Sequence, residues 1–377
     1  MEGYRGIIFK PEYKKVNKSN RWTGTLILRG LALITRILLY FAAENPVLVE
    51  KFYSSTIYPF IARGLGLLSS FVPFSIAEGL LILIPILILI ALFTIFTKPK
   101  LIINNIQGII QYVVKILAII YILFYVLWGF NYYRQDYLVI ANMKEEATTY
   151  NELKELSLEI IKKTSLARET LLEDSNGIFI IQESFDILGK MANEGFDGYI
   201  VGNINLGGNF ARIKPVFLSR YMSYTGITGI YIPFTSEPTI NVDIPDHNLL
   251  STITHEIAHQ RGFAKEEEAN FIAYKANINN SDERFQYSGY YLAMQYLMNE
   301  VYRENPDDYF LLYSELSDAV KRDMGFTREY WASKEGKVEK AVTTMNDNYL
   351  KANNQVDGVR SYSGVVRLLL AEYKNQK

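Results

Sequence analysis

Two of the three histidines in the chain stand four residues apart in the stretch HEIAH, residues 255–259. Residues four apart share one face of a helix, so His255 and His259 can both aim a ring nitrogen at a single ion. Glu256 would lie beside that ion and could take a proton from a water that zinc holds and acidifies to a pKa of about 7. The stretch therefore predicts the core of a zinc hydrolase, with Zn²⁺ as cofactor, His255 and His259 as metal ligands and Glu256 as catalytic base.

A catalytic zinc site usually takes three protein ligands and keeps one position open. The chain has no cysteine, and His247 is the remaining histidine, so a carboxylate is the expected third ligand. Gly262 can end the motif helix in a left-handed conformation and turn the chain back toward the ion. Three glutamates follow shortly after this glycine, at residues 266–268.

Asn270 helps to choose among these glutamates. If a new helix starts near Lys265, Glu266 and Asn270 lie four apart on one face, so that Glu266 can bind zinc while Asn270 hydrogen-bonds a ligand histidine. Glu268 is the alternative ligand. The simpler alternative for the whole motif is a surface helix with two solvated histidines. Asp246 is a plausible N-cap of the motif helix, and His247 in its first turn is interpreted as exposed.

The composition limits the class of protein. The chain has 377 residues, of which 49% are hydrophobic, and a formal net charge of −1. A balanced charge without a sustained basic run argues against nucleic acid as a partner. The lack of cysteine excludes disulfides and thiolate metal sites.

Three apolar runs in the first 132 residues, at about 25–43, 77–97 and 106–130, approach or exceed the roughly 20 residues that cross a bilayer. The first run contains Arg29 and Arg36, seven apart on one face, so an interfacial amphipathic helix is its alternative. Basic residues before the first run, from Arg5 to Arg21, and between the second and third runs, at Lys98 and Lys100, predict a cytoplasmic N-terminus.

This topology divides the chain into a membrane region, residues 1–132, and an extracytoplasmic domain, residues 133–377. The lipid bilayer is then one partner, and the linker at residues 45–74 is expected to lie on the membrane surface without contributing chemistry. A cleaved signal peptide is disfavoured because further spans follow the first run.

The second region is predicted to be mainly helical. Apolar spacing predicts helices at residues 151–174, 182–192, 283–303, 307–324 and 328–350 besides the motif helix, and a glycine-rich loop at residues 193–212. Residues 229–235 and 239–244 predict two strands, and Pro233 and Pro238 favour an edge position for them. The fold class is therefore a membrane-anchored α+β protein with a mainly helical domain and a small sheet.

The segment at residues 357–364 separates two helical stretches. Arg360 or Tyr362 in this segment could stabilise the oxyanion of a tetrahedral intermediate. Helix capping is the simpler role for such residues.

Four stretches together resemble a bacterial membrane family known only as a domain of unknown function, in which three N-terminal spans precede a zincin-like domain. They are Asn45-Pro46 with Tyr53, GITGIYIPFTSEPTINVDIP, HEIAHQRGFAKEEEANF and YLKANNQVDGVRSYSGVV. The resemblance covers most of the chain and implies a zincin-like fold, but no substrate.

The motif region also looks like the gluzincin arrangement of membrane proteases. That resemblance implies Glu266 as a ligand and places Asn270 where an aspartate is usual. Two departures are a shorter gap between His259 and Glu266 and the missing negative charge at Asn270. The resulting hypothesis is a membrane-anchored zinc metallopeptidase acting on a peptide or protein substrate. The alternatives are a non-catalytic zincin scaffold that binds a partner and a zinc amidase acting on cell-wall peptides.

Overall fold

A computed structural model describes residues 18–208 and 210–377 of the chain. The described chain is mostly helical with two small sheets, and three of its N-terminal helices are long and apolar enough to cross a membrane. The fold class predicted from the sequence is confirmed at this level. Most of the N-terminal basic segment, including Arg5, lies outside the described residues.

The N-terminal part consists of five α-helices and one π-helix. In chain order these are α1 (Lys18–Glu44), α2 (Pro46–Leu48), the π-helix (Val49–Ile57), α3 (Tyr58–Ser70), α4 (Ile76–Thr97) and α5 (Pro99–Leu127).

The apolar stretches of α1, α4 and α5 are Thr23–Glu44, Ile76–Thr97 and Asn105–Leu127, which are 22, 22 and 23 residues long. Each exceeds the roughly 20 residues needed to cross the hydrocarbon core. The three predicted apolar helices are thus confirmed. The third ends earlier than predicted, because the chain tightens after Leu127 into a 3₁₀ turn at Gly129–Tyr133.

The linker between α1 and α4 packs against the C-terminal region. Tyr58 at the start of α3 is fully buried, and Glu50 in the π-helix forms a buried ion pair with Arg134 at 2.8 Å. Through these side chains the linker supports the end of the motif helix. Sequence pattern could not reveal this, since a buried tyrosine and an interfacial tyrosine look alike in a linker.

The C-terminal part contains eleven further helices and two 3₁₀ turns. The helices are α6 (Tyr137–Ile140), α7 (Tyr150–Arg168), α8 (Phe185–Glu194), α9 (Ser219–Met222), α10 (Asp246–Gln260), α11 (Glu266–Asn279), α12 (Glu283–Glu304), α13 (Pro306–Ser314), α14 (Asp318–Ala332), α15 (Lys337–Ala352) and α16 (Val365–Gln376). The 3₁₀ turns are Ser223–Thr225 and Gly358–Gly364.

Most of the predicted helices exist, but three differ clearly in their bounds. The helix predicted at 151–174 begins with a capping box between Thr149 and Glu152 and ends at Arg168. The two helices predicted at 307–324 and 328–350 are three, because the chain breaks before Ser317 and again before Gly336. The Ser317 hydroxyl accepts from the backbone N–H of Val320 and so starts a new helix where the apolar spacing alone runs on.

The strands form a hairpin and a three-stranded sheet. The hairpin is β1 (Ile200–Val201) with β2 (Ile204–Asn205), and the sheet consists of β3 (Lys214–Pro215), β4 (Gly229–Ile232) and β5 (Glu237–Ile240) in the order β3-β5-β4.

Two strands exist near the predicted positions but with other bounds, because β4 ends at Ile232 and β5 contains only Thr239 and Ile240 of the predicted 239–244. Strand β4 is an edge strand. The edge assignment is wrong for β5, which contains Pro238 and lies in the centre of the sheet. Strand β3 pairs only with Thr239 and Ile240 of β5. Pro238 therefore has no partner residue in β3 that its missing N–H would leave without a hydrogen bond.

Helix α10 crosses the centre of the C-terminal part, where it packs on α11, α12 and β5. Its predicted apolar stripe, Leu250, Ile253 and Ile257, is completely buried. A helix buried this deeply needs partners for the carbonyl groups that its last turn leaves free.

Those partners come largely from the N-terminal part. The Tyr58 hydroxyl donates to Gln260 O at 2.9 Å, and the indole Nε1 of Trp128 donates to His259 O at 3.2 Å. Just beyond the helix, Arg134 Nη1 donates to Gly262 O at 2.8 Å. The end of the motif helix is therefore anchored on residues of the linker and of the segment that follows the third apolar helix.

Replacing Tyr58 by phenylalanine tests this anchor. The substitution leaves Gln260 O without its hydroxyl partner in a buried site, which should lower the free energy of unfolding by about 1–3 kcal/mol. Thermal and denaturant unfolding of the full chain in detergent would measure the change. Tyr302→Phe on α12, where the tyrosine is half exposed, is the control and should leave the midpoint unchanged. Equal midpoints for the two variants would contradict the anchoring role.

Candidate metal centre

The structure brings His255, His259 and Glu266 together, with one donor atom of each lying within 4.8 Å of the others. Glu266 Oε2 is 3.2 Å from His255 Nε2 and 3.5 Å from His259 Nε2. Two ligands on a tetrahedral zinc ion at about 2.1 Å each stand roughly 3.4 Å apart. The distances from Glu266 to the two histidines therefore match those between ligands of a shared zinc ion.

The backbone fixes the ring of His259. Its Nδ1 lies 2.7 Å from the carbonyl oxygen of Phe263, which can only accept, so Nδ1 carries a proton and Nε2 is turned toward Glu266. Metal-binding histidines commonly donate their second ring N–H in this way. The contact depends on the turn at Gly262, whose φ of 91° confirms the predicted left-handed conformation and brings Phe263 back over the helix.

The charges of the cluster favour a cation at its centre. Burial lowers the pKa of His259, but the charge and hydrogen bond of Glu266 outweigh burial and raise it to about 9. Burial acts to raise the pKa of Glu266, yet the two histidines lower it well below its ordinary value. The carboxylate is thus ionised and attracts positive charge into the space between the three side chains.

Glu256 is buried beside the cluster and keeps one oxygen free. Within the described chain its Oε2 has no hydrogen-bond partner, while the backbone of Tyr231 in β4 hydrogen-bonds the carboxyl group. Burial, helped by the nearby charge of Glu266, raises the pKa of Glu256. A carboxylate that is desolvated, oriented and free at one oxygen has the properties of a general base.

Gly229 makes room for this carboxylate. A Cβ atom added at Gly229 would lie 2.5 Å from Glu256 Oε1 and 2.7 Å from its Cγ. Any other residue at the start of β4 would push the Glu256 side chain aside. Sequence reasoning did not single out Gly229, because a glycine at a strand end carries no signal for close approach to a distant glutamate.

Glu268, the alternative third ligand, lies elsewhere. Its Oε1 accepts from the backbone N–H of Tyr137 and from Lys265 Nζ, at 2.9 and 3.2 Å. The spacing argument explains the difference: Glu266 begins α11 and shares a face with Asn270, whereas Glu268 is two residues further round the helix. The structure thus places Glu266, and not Glu268, beside the histidines.

Asn270 lines the same cleft as the cluster, but its amide nitrogen has other partners. It donates to the Tyr296 hydroxyl at 3.0 Å and to the backbone oxygen of Tyr362 at 3.4 Å. The expected hydrogen bond from Asn270 to a ligand histidine is not among the contacts that the described residues make. Asn270 instead connects two tyrosines that flank Glu266.

The two oxyanion candidates differ in position. Arg360 is exposed and is not among the described residues that line the cleft, whereas Tyr362 lines it beside Glu266 and Glu256. Burial and then the charge of Glu266 hold the pKa of Tyr362 well above its ordinary value, so its hydroxyl keeps its proton. Of the two, only Tyr362 stands where a donor could meet a substrate in the cleft.

Tyr362 is one of four tyrosines around Glu266 that sequence reasoning otherwise missed. The others are Tyr132, Tyr296 and Tyr349. In each of them burial is the largest cause that raises the pKa of the hydroxyl, and the charge of Glu266 raises it further. They come from three distant parts of the chain, so no local pattern could group them. Glu266 itself is held by its backbone N–H, which donates to Gln355 Oε1 at 3.3 Å.

The prediction that His247 is exposed is wrong, because the side chain is fully buried. Its Nε2 lies 2.5 Å from Thr327 Oγ1, and its ring packs edge-on against Tyr291 with centroids 4.6 Å apart. Asp246 is the first residue of α10 instead of its N-cap, and its carboxylate accepts from Ile181 N. The interpretation of His247 failed because α12 and α14 cover the first turn of α10, which sequence pattern does not reveal.

The cluster lies at the bottom of an open cleft with a volume of about 910 Å³. Its walls are β4, α10, α12, α15 and the end of α5, and they include Ile230, Phe234, Trp331 and Met345. A cleft of this size accommodates several residues of a peptide or a comparably large ligand.

Comparison with known proteins yields one match. A family model described as "Protein of unknown function (DUF3810)" matches residues 53–370. Neither a curated protein nor a solved structure matches the chain.

Paired substitutions of the two glutamates test the ligand set. Loss of a residue that only hydrogen-bonds a metal ligand weakens metal binding roughly 10- to 100-fold. Glu266→Gln should weaken zinc or cobalt binding by more than this, because it removes the one negatively charged ligand. Glu268→Gln should retain the metal. Zinc stoichiometry and the absorption spectrum of a cobalt-loaded full chain in detergent provide the measurement, and metal loss in Glu268→Gln alone would contradict the arrangement.

The buried His247 predicts a dependence of stability on pH. Burial first, together with the charge of Arg168, lowers the pKa of His247 to about 4 from 6.5. Between pH 6.5 and 4 the unfolded chain binds this proton and the folded chain does not, so stability falls as the pH is lowered, by up to about 3 kcal/mol. His247→Gln removes this titration, and its denaturation midpoint should vary less between pH 7 and pH 4 than that of the wild type. Parallel curves would contradict the prediction.

Proposed function

Because the chain belongs to the family described as "Protein of unknown function (DUF3810)", a description that states no activity, we propose a function from the site: a membrane-anchored zinc metallopeptidase. One observation carries the proposal. Two histidines and a glutamate converge in a buried cluster, and a second glutamate with a free oxygen stands beside them at the bottom of an open cleft.

The residues present suit zinc. The donor set of two imidazoles and one carboxylate is that of several zinc peptidases, and mixed nitrogen and oxygen donors disfavour calcium and magnesium, which prefer oxygen alone. Zinc bound here would polarise the scissile carbonyl and make a water molecule acidic enough to attack it at neutral pH.

The remaining steps fall to residues of the chain. Glu256 takes a proton from the attacking water on its free oxygen and passes it to the leaving amine. The Tyr362 hydroxyl, which keeps its proton, donates to the oxygen that becomes negative when the carbonyl is attacked. The outer edge of β4 is placed to pair with an extended substrate backbone.

The proposal includes a zincin-like architecture and an extracytoplasmic location. The support for the architecture is the motif helix α10 beneath an antiparallel edge strand, with the third donor supplied by the next helix. The support for the location is the excess of lysine and arginine before the first span and around Lys98. A domain that follows the third span then lies outside the cytoplasmic membrane.

Glu256→Gln separates catalysis from metal binding. Loss of the general base should reduce hydrolysis by about 10²- to 10⁴-fold while the zinc content stays at the wild-type level, because none of the three donors changes. Rates would be measured with the full chain in nanodiscs and a mixture of peptides analysed by mass spectrometry. Equal rates for the wild type and Glu256→Gln, with zinc bound to both, would reject the peptidase in favour of a scaffold that binds a partner.

A further inference from the structure

One wall of the cleft is the end of an apolar span. Phe124, in the last turn of the stretch Asn105–Leu127, and Trp128, directly after it, both line the cleft. Trp128 also contacts the metal cluster, since its ring centroid lies 6.0 Å from that of His259. The candidate site is thus a single side chain away from a helix long enough to cross a bilayer.

The other two spans end at the same side of the C-terminal part. The backbone N–H of Ile76, at the start of α4, donates to the buried Glu237 of β5, the central strand of the site sheet. Glu78 in the same turn accepts from the backbone N–H groups of Phe217 and Leu218. The residues after α1 reach this side too, because the Tyr53 hydroxyl donates to Val126 O near the end of α5.

Exposed aromatic side chains surround the first turn of α4. Phe217 is 90% exposed and Phe71 86%, and Phe74 and Tyr221 are exposed as well. Aromatic residues at the ends of spans are typical of the membrane–water interface. We call the surface formed by these four aromatic residues and the ends of α1, α4 and α5 the span-end face.

The cleft meets this face at the end of α5. Phe124 reaches it from α5, and the chain that leaves Phe217 reaches it at Thr225, after α9. At the rim, Ile230, Phe234 and Met345 are exposed apolar side chains. The cleft therefore has an apolar rim, and the end of a helix long enough to cross a membrane forms part of its wall.

The cleft also lacks a partner for a chain end. None of the described residues that line it is a lysine or arginine, and its only acidic residues are Glu256 and Glu266. A free C-terminal carboxylate would find no lysine or arginine there to pair with. An uncharged stretch within a polypeptide fits the lining better than a terminus or an acidic peptide.

We propose that the substrate is a membrane-anchored polypeptide, cut at an internal peptide bond in the uncharged, apolar segment just outside its own span. This inference rests on the proposed peptidase function and specifies its substrate class. Water adds across the C–N bond, so one product ends in a new carboxylate and the other begins with a new amine. The orientation of the substrate decides which of the two products stays in the membrane and which is released.

Three peptide libraries with the same randomised segment of about 12 residues would test the inference. In the first library the segment directly follows a synthetic transmembrane helix. In the second, a flexible spacer of about 40 glycine and serine residues, roughly 35 Å in root-mean-square length, separates the helix from the segment. The third library lacks the helix. The full chain is reconstituted with each library in vesicles of phosphatidylcholine and phosphatidylglycerol, and products are identified by mass spectrometry.

We expect the directly joined library to be cleaved at least about tenfold faster than the other two, at bonds near the membrane. Because the spacer library is equally concentrated on the vesicles, it controls for simple membrane attachment. Equal or faster cleavage of the spacer or soluble library would overturn the inference and leave the peptidase standing. Absence of cleavage in all three, or cleavage that persists in Glu256→Gln, would overturn the peptidase function and the inference with it.

A matched pair on α15 tests the apolar rim. Met345→Asp places a charge on the rim and should raise KM for the directly joined library several-fold while kcat is retained. Val338→Asp adds the same charge to an exposed position of the same helix that does not line the cleft, and it should change neither constant. Identical KM values for the two variants would show that the rim does not contact the substrate.

Discussion

The free carbonyl groups at the end of α10 are the constraint on which the site depends. A buried helix end needs hydrogen-bond donors, and here Tyr58 donates to Gln260 O and Trp128 to His259 O. Just beyond the helix, Arg134 donates to Gly262 O. Trp128 directly follows the third apolar stretch, Arg134 follows the 3₁₀ turn after it, and Tyr58 of the linker packs in one buried cluster with Trp128. The helix that carries His255 and His259 is therefore held at its end by residues of the linker and of the segment after the third apolar helix, so the candidate site is built from both parts of the chain.

Two glycines set the distances within the site, each for a different reason. Gly262 has a φ of 91°, and a Cβ there would approach the Tyr58 ring to 2.9 Å, so both its backbone conformation and the anchor below it require glycine. Gly229 is required by contact alone, because the Glu256 carboxyl occupies the space of its Cβ. The first glycine returns the chain toward Glu266, and the second lets β4 lie directly on Glu256.

The sequence predicted what depends on local spacing and missed what depends on long-range packing. The positions of His255, His259 and Glu266 follow from helical periodicity and one glycine, so local spacing is enough to group them into one cluster. The burial of His247 and Tyr58 could not be predicted, because each is covered by elements far away in the chain. Pro238 in the central strand misled for the same reason: whether its missing N–H matters depends on how far the short strand β3 extends.

The balance of charge explains why the cluster favours a cation. Glu256 and Glu266 are both buried in a cleft whose described lining has no lysine or arginine, and two buried carboxylates without a counter-charge are costly. Without a metal, protons offset this cost: burial and the Glu266 charge raise the pKa of Glu256, and Glu266 outweighs the burial of His259 and raises its pKa to about 9. A divalent cation held by Glu266 and the two histidines would replace those protons. Glu256 would then be left ionised, with its free oxygen available to act as a base.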